Sequence, residues 1–466
     1  KFDELLAQQL SMRKHYRERR ARRAPELGVP VARRHTSALI GRLPFELTRA
    51  QMRAWGEIER DLAQPHPMHR LLQGDVGSGK TVVAVLAALR AVENGLQAAV
   101  MAPTEILAEQ HLRKFNEWFV PLGLEIAWLT GSQAKKERES QRAAIASGRA
   151  AVAIGTQALF QDGVEFRSLG LAVVDEQHRF GVAQRLALRG KGEESHQLMM
   201  SATPIPRTLS MSYHADLEVS VIDELPPGRR PVITKLVAGS RRSEVVRRVR
   251  EACGAGGQAY WVCPLIEESE QLQLQTVLDT HATLSREFPE LRVGLVHGRL
   301  KPAEKAQTTA DFLARKIHLL VGTTVIEVGI DVPNASLMVI EHAERFGLAQ
   351  LHQLRGRVGR GAAESVCVLL YQNPLGESAR ERLRVIFENA DGFVIAGEDL
   401  RLRGPGEFLG ARQSGAPLLR FADLTRDADL IEPARAAAEA LLSDNPESAE
   451  RHLERWLGGR ADFLNA

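Results

Sequence analysis

The chain has 466 residues, 44% of them hydrophobic and 26% charged, a balance that excludes collagen-like, mucin-like and bulk-disordered proteins and is too long for one ordinary core. Its formal charge of +3, from 61 basic and 58 acidic side chains, identifies no partner by itself. No apolar run is long enough to span a bilayer, and Cys253, Cys263 and Cys367 stand too far apart for a zinc site or a disulfide framework, so a reducing cytoplasm and no membrane partner are expected.

The N-terminus, KFDELLAQQL, has neither an initiator Met nor a signal-peptide pattern and is read as starting inside a longer protein. Residues 1–40 form a connector. An amphipathic stretch with Phe2, Leu5, Leu6, Gln9 and Leu10 leads into a basic run, and Pro25 and Pro30 break the helix. From Arg13 to Arg34 nine Lys or Arg residues face only Glu18 and Glu26. Two readings stand for this run, contact with a phosphate backbone and an ordinary solvated face.

Residues 41–225 alternate short apolar runs with helical patterns. The runs LQAAVMA, AAVAIGT, LGLAVVDE and QLMMSAT each end in polar or glycine-containing loops, the signature of buried parallel strands covered by helices. PPGRRP at Pro226–Pro231 reads as a linker. Residues 226–385 repeat the pattern with QAYWV, RVGLVHG, KIHLLVGTT, SLMVIEH and SVCVLLY. The fold class is therefore α/β, with two doubly wound parallel-sheet lobes. Residues 386–466 turn helical and loop-rich, with a glycine-dense insert.

GDVGSGKT, Gly74 to Thr81, follows an apolar strand and opens the helical stretch VVAVLAALRAV, the context of a phosphate-binding loop. Gly74, Asp75, Val76, Gly77, Ser78 and Gly79 would turn backbone N–H groups onto the phosphates, Lys80 would reach the β- and γ-phosphates, and Thr81 would ligate Mg2+. LGLAVVDEQHRFG brings Asp175 and Glu176 to the C-terminal end of a strand, where ligands bind in open α/β sheets. Asp175 would hold the metal, and Glu176 would orient and deprotonate the water that attacks the γ-phosphate of ATP. QLRGRVGR contributes Gln353 and two arginine-finger candidates from the second lobe, Arg357 and Arg360, so that closure on ATP would convert hydrolysis into domain motion.

These elements, in this order, resemble superfamily 2 helicases, whose lobes are RecA-like. APTEILAEQH, GTQALF, SATPIPR and TTVIEVGIDVPNA resemble the family's other motifs. The resemblance implies that Pro103, Thr104, Glu105, Gly155, Thr156, Thr323 and Thr324 line a nucleic-acid track. It also implies that Ser201 and Thr203 couple the track to the nucleotide and that Glu327, Gly329 and Asp331 face the interlobe cleft. Phe45 and Gln51 are implied to read the adenine, although a plain helix cap fits Gln51 equally well.

LPFELTRAQ, DEQHRFGVAQR with its His178, YWVCPLIEESE, VHGRLKPAEK and DGFVIAGEDLRLRGPGEFLGARQSG narrow the resemblance to the RecG family of bacterial branch-migrating DNA helicases. The transcription-repair coupling factors share the motor but generally lack the His at 178 and the RGPGEFLG and IEESE forms. The RecG resemblance implies a helical hairpin and glycine loop over Asp391–Gly415 that links ATP turnover to movement on duplex DNA, with Arg403, Arg412 and Gln413 as contacts. It further implies forks and Holliday junctions as substrates, an upstream OB-fold wedge outside these residues, a monomer, the single-stranded-DNA-binding protein as a candidate partner, and a nucleoid-associated location in the bacterial cytoplasm. Two other readings are weighed against it: a coupling-factor motor and a catalytically silent nucleic-acid clamp.

Overall fold

The computed structural model describes residues 1–28, 34–176, 195–202, 217–227, 229, 231–264, 270–323, 332–359, 361, 364–403, 419–423 and 426–458. The first lobe follows three helices, α1 (Phe2–Ala21), α2 (Arg34–Arg42) and α3 (Arg49–Leu62). It then runs β1 (His69–Gly74), α4 (Lys80–Glu93), β2 (Gln97–Met101), α5 (Glu105–Phe119), β3 (Glu125–Leu129), α6 (Lys135–Ala146), β4 (Ala150–Gly155), β5 (Leu169–Asp175), β6 (His196–Ser201) and β7 (Glu218–Ile222). The seven strands are all parallel, in the order β3-β4-β2-β5-β6-β1-β7.

Successive strand residues point to opposite faces, so a sheet covered on both sides needs apolar residues at every position. The strands meet this demand. Leu72, Val100, Ile154, Val173 and Leu198 enter one core with the inner faces of α3 and α4, while their neighbours Leu71, Ala99, Ala153, Ala172 and Met199 enter a second core on the other face.

The second lobe runs β8 (Ile233–Ala238), α7 (Arg242–Gly254), β9 (Gln258–Val262), α8 (Glu270–Glu287), β10 (Val293–Val296), α9 (Pro302–Leu313), β11 (Leu319–Gly322), β12 (Ala335–Ile340), α10 (Leu348–Arg355), β13 (Val366–Tyr371) and α11 (Glu377–Glu388). Its six strands are also parallel, in the order β10-β11-β9-β12-β13-β8. Buried Trp261 lies at its centre with the Arg242 guanidinium 5.0 Å from its ring, and Arg242 is in turn paired with Glu341 at 2.8 Å. The three cysteines are free and buried in this lobe, where desolvation raises their pKa values to about 11 for Cys253 and about 12 for Cys263 and Cys367. Helices α12 (Gly392–Arg403), α13 (Ile431–Asp444) and α14 (Pro446–Trp456) complete the chain.

The N-terminal helix α1 packs against the C-terminal helices α13 and α14. Leu5 joins Leu400, Ile431 and Ala434, and Leu6 and Leu10 join Ala438, Ala449 and Leu453. Three cations of the basic run are used here. Arg13 pairs with Glu439 at 3.1 Å, Lys14 with Glu450, and Arg17 donates to the Leu442 carbonyl at 3.0 Å and to Ser443 Oγ at 2.7 Å. Buried Glu4 accepts from three successive backbone amides, those of Arg420 (2.5 Å), Phe421 (2.9 Å) and Ala422 (2.8 Å).

The connector after α1 is also seated on the first lobe. The Leu27 amide donates to the Leu62 carbonyl at 2.8 Å, Asn94 donates to the Gly28 carbonyl at 3.1 Å, and fully buried His196 bridges Pro25 to β1. His196 Nδ1 accepts from the Met68 amide at 3.1 Å, so Nε2 carries the hydrogen and donates to the Pro25 carbonyl at 2.7 Å. That pattern needs a neutral ring, and burial lowers the His196 pKa from its usual value.

Two predictions follow from this packing. Glu4→Ala removes three charge-assisted acceptances and should loosen the Arg420–Ala422 segment by about 3 kcal/mol; hydrogen exchange at those amides reads it, and unchanged protection rules it out. Because the folded pKa of His196 is depressed, its contribution is complete above the unfolded value of about 6.5 and is lost as pH falls below it. Exchange at Leu27 should therefore accelerate relative to the lobe's central strands as pH drops from 7 to 5, after correction for intrinsic rates. His196→Gln should flatten that dependence.

Candidate nucleotide-binding site

The C-terminal ends of β5, β6 and β1 lie side by side in the first sheet. Gln73 is in register with Ser201, and Asp175 with Met200, so the loop after β1 and the acid pair after β5 flank a single intervening strand end. At the usual strand spacing this places Asp175 roughly 10 Å from Gln73.

The loop after β1 has the backbone that a phosphate cradle requires. Gly77 and Gly79 adopt φ of +77° and +86°, and the Ser78 amide donates to the Asp75 carbonyl at 3.1 Å. A Cβ at 79 would also stand 2.2 Å from Gln51 Nε2, so the end of that side chain would have to move aside. Lys80 begins α4 and donates from Nζ to the Gly74 carbonyl at 2.7 Å, and Thr81 follows in the first helical turn. Gln51 itself is buried and completes the capping box of α3. Its Oε1 accepts from the Thr48 amide at 2.9 Å, and its amide donates to Thr48 Oγ1 at 3.1 Å. The cap expected as one of its two readings is thus formed. Phe45 is 44% exposed, on an open apolar hollow with Ile40, Leu43 and Met52.

Asp175 is buried at the end of β5, and its Oδ2 lies 2.8 Å from His111 Nε2. Burial pushes its pKa up, but the hydrogen bond and electrostatic pull of His111, together with Lys80, outweigh this and hold the carboxyl below the ordinary Asp range. An ionised carboxylate only accepts, so His111 Nε2 is the donor. Glu176 has a left-handed backbone, φ +51°, which is uncommon and strained for a non-glycine residue. Two bonds to the end of β6 hold it there: its amide donates to the Met200 carbonyl at 2.9 Å, and its Oε1 accepts from the Ala202 amide at 3.3 Å.

An ionised buried carboxylate and the Thr81 hydroxyl are oxygen donors of the kind that would hold Mg2+, with further oxygens supplied by phosphates received at the amino end of α4. Among the described residues no group of three or more His, Cys, Asp and Glu side chains could hold a metal without such a ligand.

The expected track residues occupy the same edge of the first lobe. Thr104 caps α5, its Oγ1 accepting from the Leu107 amide at 3.4 Å, with Pro103 just before it. Glu105 is tied to Ser132, accepting from its amide at 3.1 Å and its hydroxyl at 2.9 Å. Gly155 ends β4 where a Cβ would stand 1.9 Å from the Leu129 carbonyl oxygen, so its lack of a side chain serves strand packing; Thr156 is buried next to it, and Ser201 is buried at the end of β6, three strands along the sheet. In the second lobe Thr323 and Gln353 are buried and Arg357 follows α10. His178, Thr203, Thr324, Glu327, Gly329, Asp331, Arg360, Arg412 and Gln413 lie outside the described residues; Arg403 ends α12.

Two residues were missed by sequence reasoning. His111 stands inside the quoted APTEILAEQH string, but nothing local says that it meets a carboxylate 64 positions away. Arg355 precedes the finger candidates yet is buried. It donates to the carbonyls of Ile386 (3.0 Å), Asn389 (2.8 Å) and Ala390 (3.0 Å), locking α10 to the end of α11.

Comparison with known proteins agrees with this geometry. Residues 48–212 match the DEAD/DEAH box helicase family, residues 244–362 the helicase conserved C-terminal domain, and residues 389–455 the C-terminal part of domain 3 of ATP-dependent DNA helicase RecG. The chain is 57% identical to the RecG of Escherichia coli O157:H7 over 433 residues, covering 92% of this chain and 62% of that one. It is 54% identical to the RecG of Acidithiobacillus ferridurans, covering 99% of this chain and 67% of that one. A solved structure of RecG bound to a three-way DNA junction matches with a TM-score of 0.74 at 45% identity, over 92% of this chain and 56% of that chain. The match to RecG domain 3 at the C-terminal end decides between the two resemblances that share the motor. With both lobes and this third segment accounted for, the chain belongs to the RecG family of ATP-dependent DNA helicases.

Proposed function

We propose that this chain is the ATP-driven motor of a double-strand DNA translocase that, within a longer protein, remodels branched DNA by reversing stalled forks and migrating Holliday junctions. The observation that carries the reading is a phosphate cradle and a buried, ionised Asp175 at strand ends on either side of β6, in a chain of a DNA-helicase family. The relative solved on a three-way junction supports branched DNA as the substrate class.

In this reading residues 41–225 bind nucleotide and residues 226–385 form the second motor lobe. Residues 386–466 provide the translocation hairpin. Lys80 leaves the Gly74 carbonyl for the β- and γ-phosphates, and the amides of residues 75–81 surround them. Asp175 and Thr81 hold Mg2+, which when bound neutralises charge on the β- and γ-oxygens. Glu176 takes the proton of the attacking water, its carboxylate aimed by its bonds to the β6 end. Arg357 and Arg360 supply positive charge to the equatorial oxygens and Gln353 helps orient them, while Phe45 and Gln51 contact the base. Pro103 to Glu105, Gly155, Thr156, Thr323 and Thr324 follow the DNA backbone. His178, Ser201 and Thr203 relay the state of the nucleotide, Gly329 and Asp331 bind it from the interlobe cleft, and Arg403, Arg412 and Gln413 engage duplex DNA. A monomer in the bacterial cytoplasm, associated with the nucleoid and with single-stranded-DNA-binding protein, completes the reading.

Steady-state ATPase of the chain, alone and with duplex, single-stranded, junction DNA or RNA, tests it. Duplex and junction DNA should stimulate most, with a steep loss as salt rises, because phosphate contacts dominate. Equal stimulation by RNA, or none by DNA even in the full-length protein, overturns the DNA-motor reading. Glu176→Gln should bind ATP normally and lose turnover by about 100-fold or more; normal turnover removes Glu176 from the base role.

A further inference from the structure

His111 lies two turns into α5, buried, at the end of a ridge of rings. Its imidazole meets Phe115 edge-on at 6.5 Å, and Phe115 stacks on Phe119 at 5.2 Å, so residues at i, i+4 and i+8 fix the ring against the core. The ring's Nε2 lies 2.8 Å from Asp175 Oδ2. A histidine kept only for packing would be served by any acceptor for its N–H, and an apolar residue would continue the ridge without needing one. A buried carboxylate gains a great deal: it needs a donor, and a donor on a rigid ring fixes the plane in which its oxygens lie.

We propose that His111 is a positioning residue for the nucleotide-bound magnesium ion: by donating Nε2–H to Asp175 Oδ2 it sets the carboxylate plane from which Asp175 approaches the metal. This rests on Asp175 being the metal carboxylate, the role assigned to it above. Outer partners of metal ligands commonly change metal affinity about 10- to 100-fold when removed. His111 stands in that relation to Asp175 from a helix whose first turn begins at Thr104, so one rigid element carries both the cap at 104 and the donor at 111.

The test is an equilibrium titration of a fluorescent non-hydrolysable ATP analogue at varied Mg2+, on the full chain, with thermal melting as a fold check. Parent, His111→Gln, His111→Asn, His111→Leu and Asp175→Asn are compared. A Gln side chain places its amide N–H near the Nε2 position, whereas an Asn amide falls near Nδ1 and cannot reach Oδ2. The Mg2+ concentration for half-saturation should rise about tenfold or more in His111→Asn and His111→Leu and stay within about threefold of the parent in His111→Gln. Analogue binding in EDTA should be unchanged in the three His111 variants. If folded His111→Leu or His111→Asn titrates like the parent, or if His111→Gln is as impaired as His111→Asn, the positioning role is wrong. If His111→Leu fails to fold, the Gln and Asn pair still decides. An Asp175→Asn variant with parental Mg2+ dependence overturns the metal role of Asp175 itself, a failure distinct from that of His111 alone.

Discussion

A charged carboxylate inside a sheet edge is the constraint around which the first lobe is arranged. Burying an unpaired ion is prohibitive, and the usual outcome is neutralisation. Asp175 avoids this because three separate elements meet at one point: β5 carries it, α5 brings His111 and α4 brings Lys80. None of the three could do so without the parallel sheet, whose apolar strands place their polar C-terminal ends along one edge. The packing of the two cores is thus the condition for the chemistry. Leu, Val and Ala at every strand position decide where a single acid ends up, and with what neighbours.

The acid next to it obeys a different tether. Glu176 follows Asp175 directly, yet its backbone turns left-handed and its bonds run to Met200 and Ala202 at the end of β6, not to α5. Such a backbone costs on the order of 1–3 kcal/mol and persists only where the surroundings over-determine it. Adjacent residues are therefore held by different parts of the lobe. A shift of α5 acts first on Asp175, and a shift of the β6 end acts first on Glu176, so the two carboxylates can be displaced separately even though they are consecutive.

Much of this was legible in the sequence because it is local. GDVGSGKT carries its own glycines, and the strand and helix around it follow from apolar periodicity, so Gly77, Gly79 and Lys80 stand where the motif requires. The alternation of strands and helices gave the two parallel sheets for the same reason. Long-range choices were not legible. Gln51 had two readings of equal weight, and its cap on Thr48 became visible only in the folded chain. Arg355 sits among candidate finger arginines, and only the end of α11, some thirty positions on, marks it as a packing residue. His111 is a common residue on a common helix pattern; its meaning comes from the strand that the fold brings to it.

The N-terminal helix shows the same limit in energetic terms. Residues Glu4 to Arg13 of α1 are all buried, although half of them are polar, so no amphipathic pattern could announce a two-sided burial. The position of α1 rests on a few attachments. These are Leu5, Leu6 and Leu10 in two apolar clusters, the ion pairs of Arg13 and Lys14, and the triple acceptance by Glu4. All of those partners lie some 400 residues later in the chain. Helix α1 is held by the C-terminal segment, so the order of the two ends is a single property, and three of the nine cations of the basic run, Arg13, Lys14 and Arg17, serve to hold one end of the chain to the other.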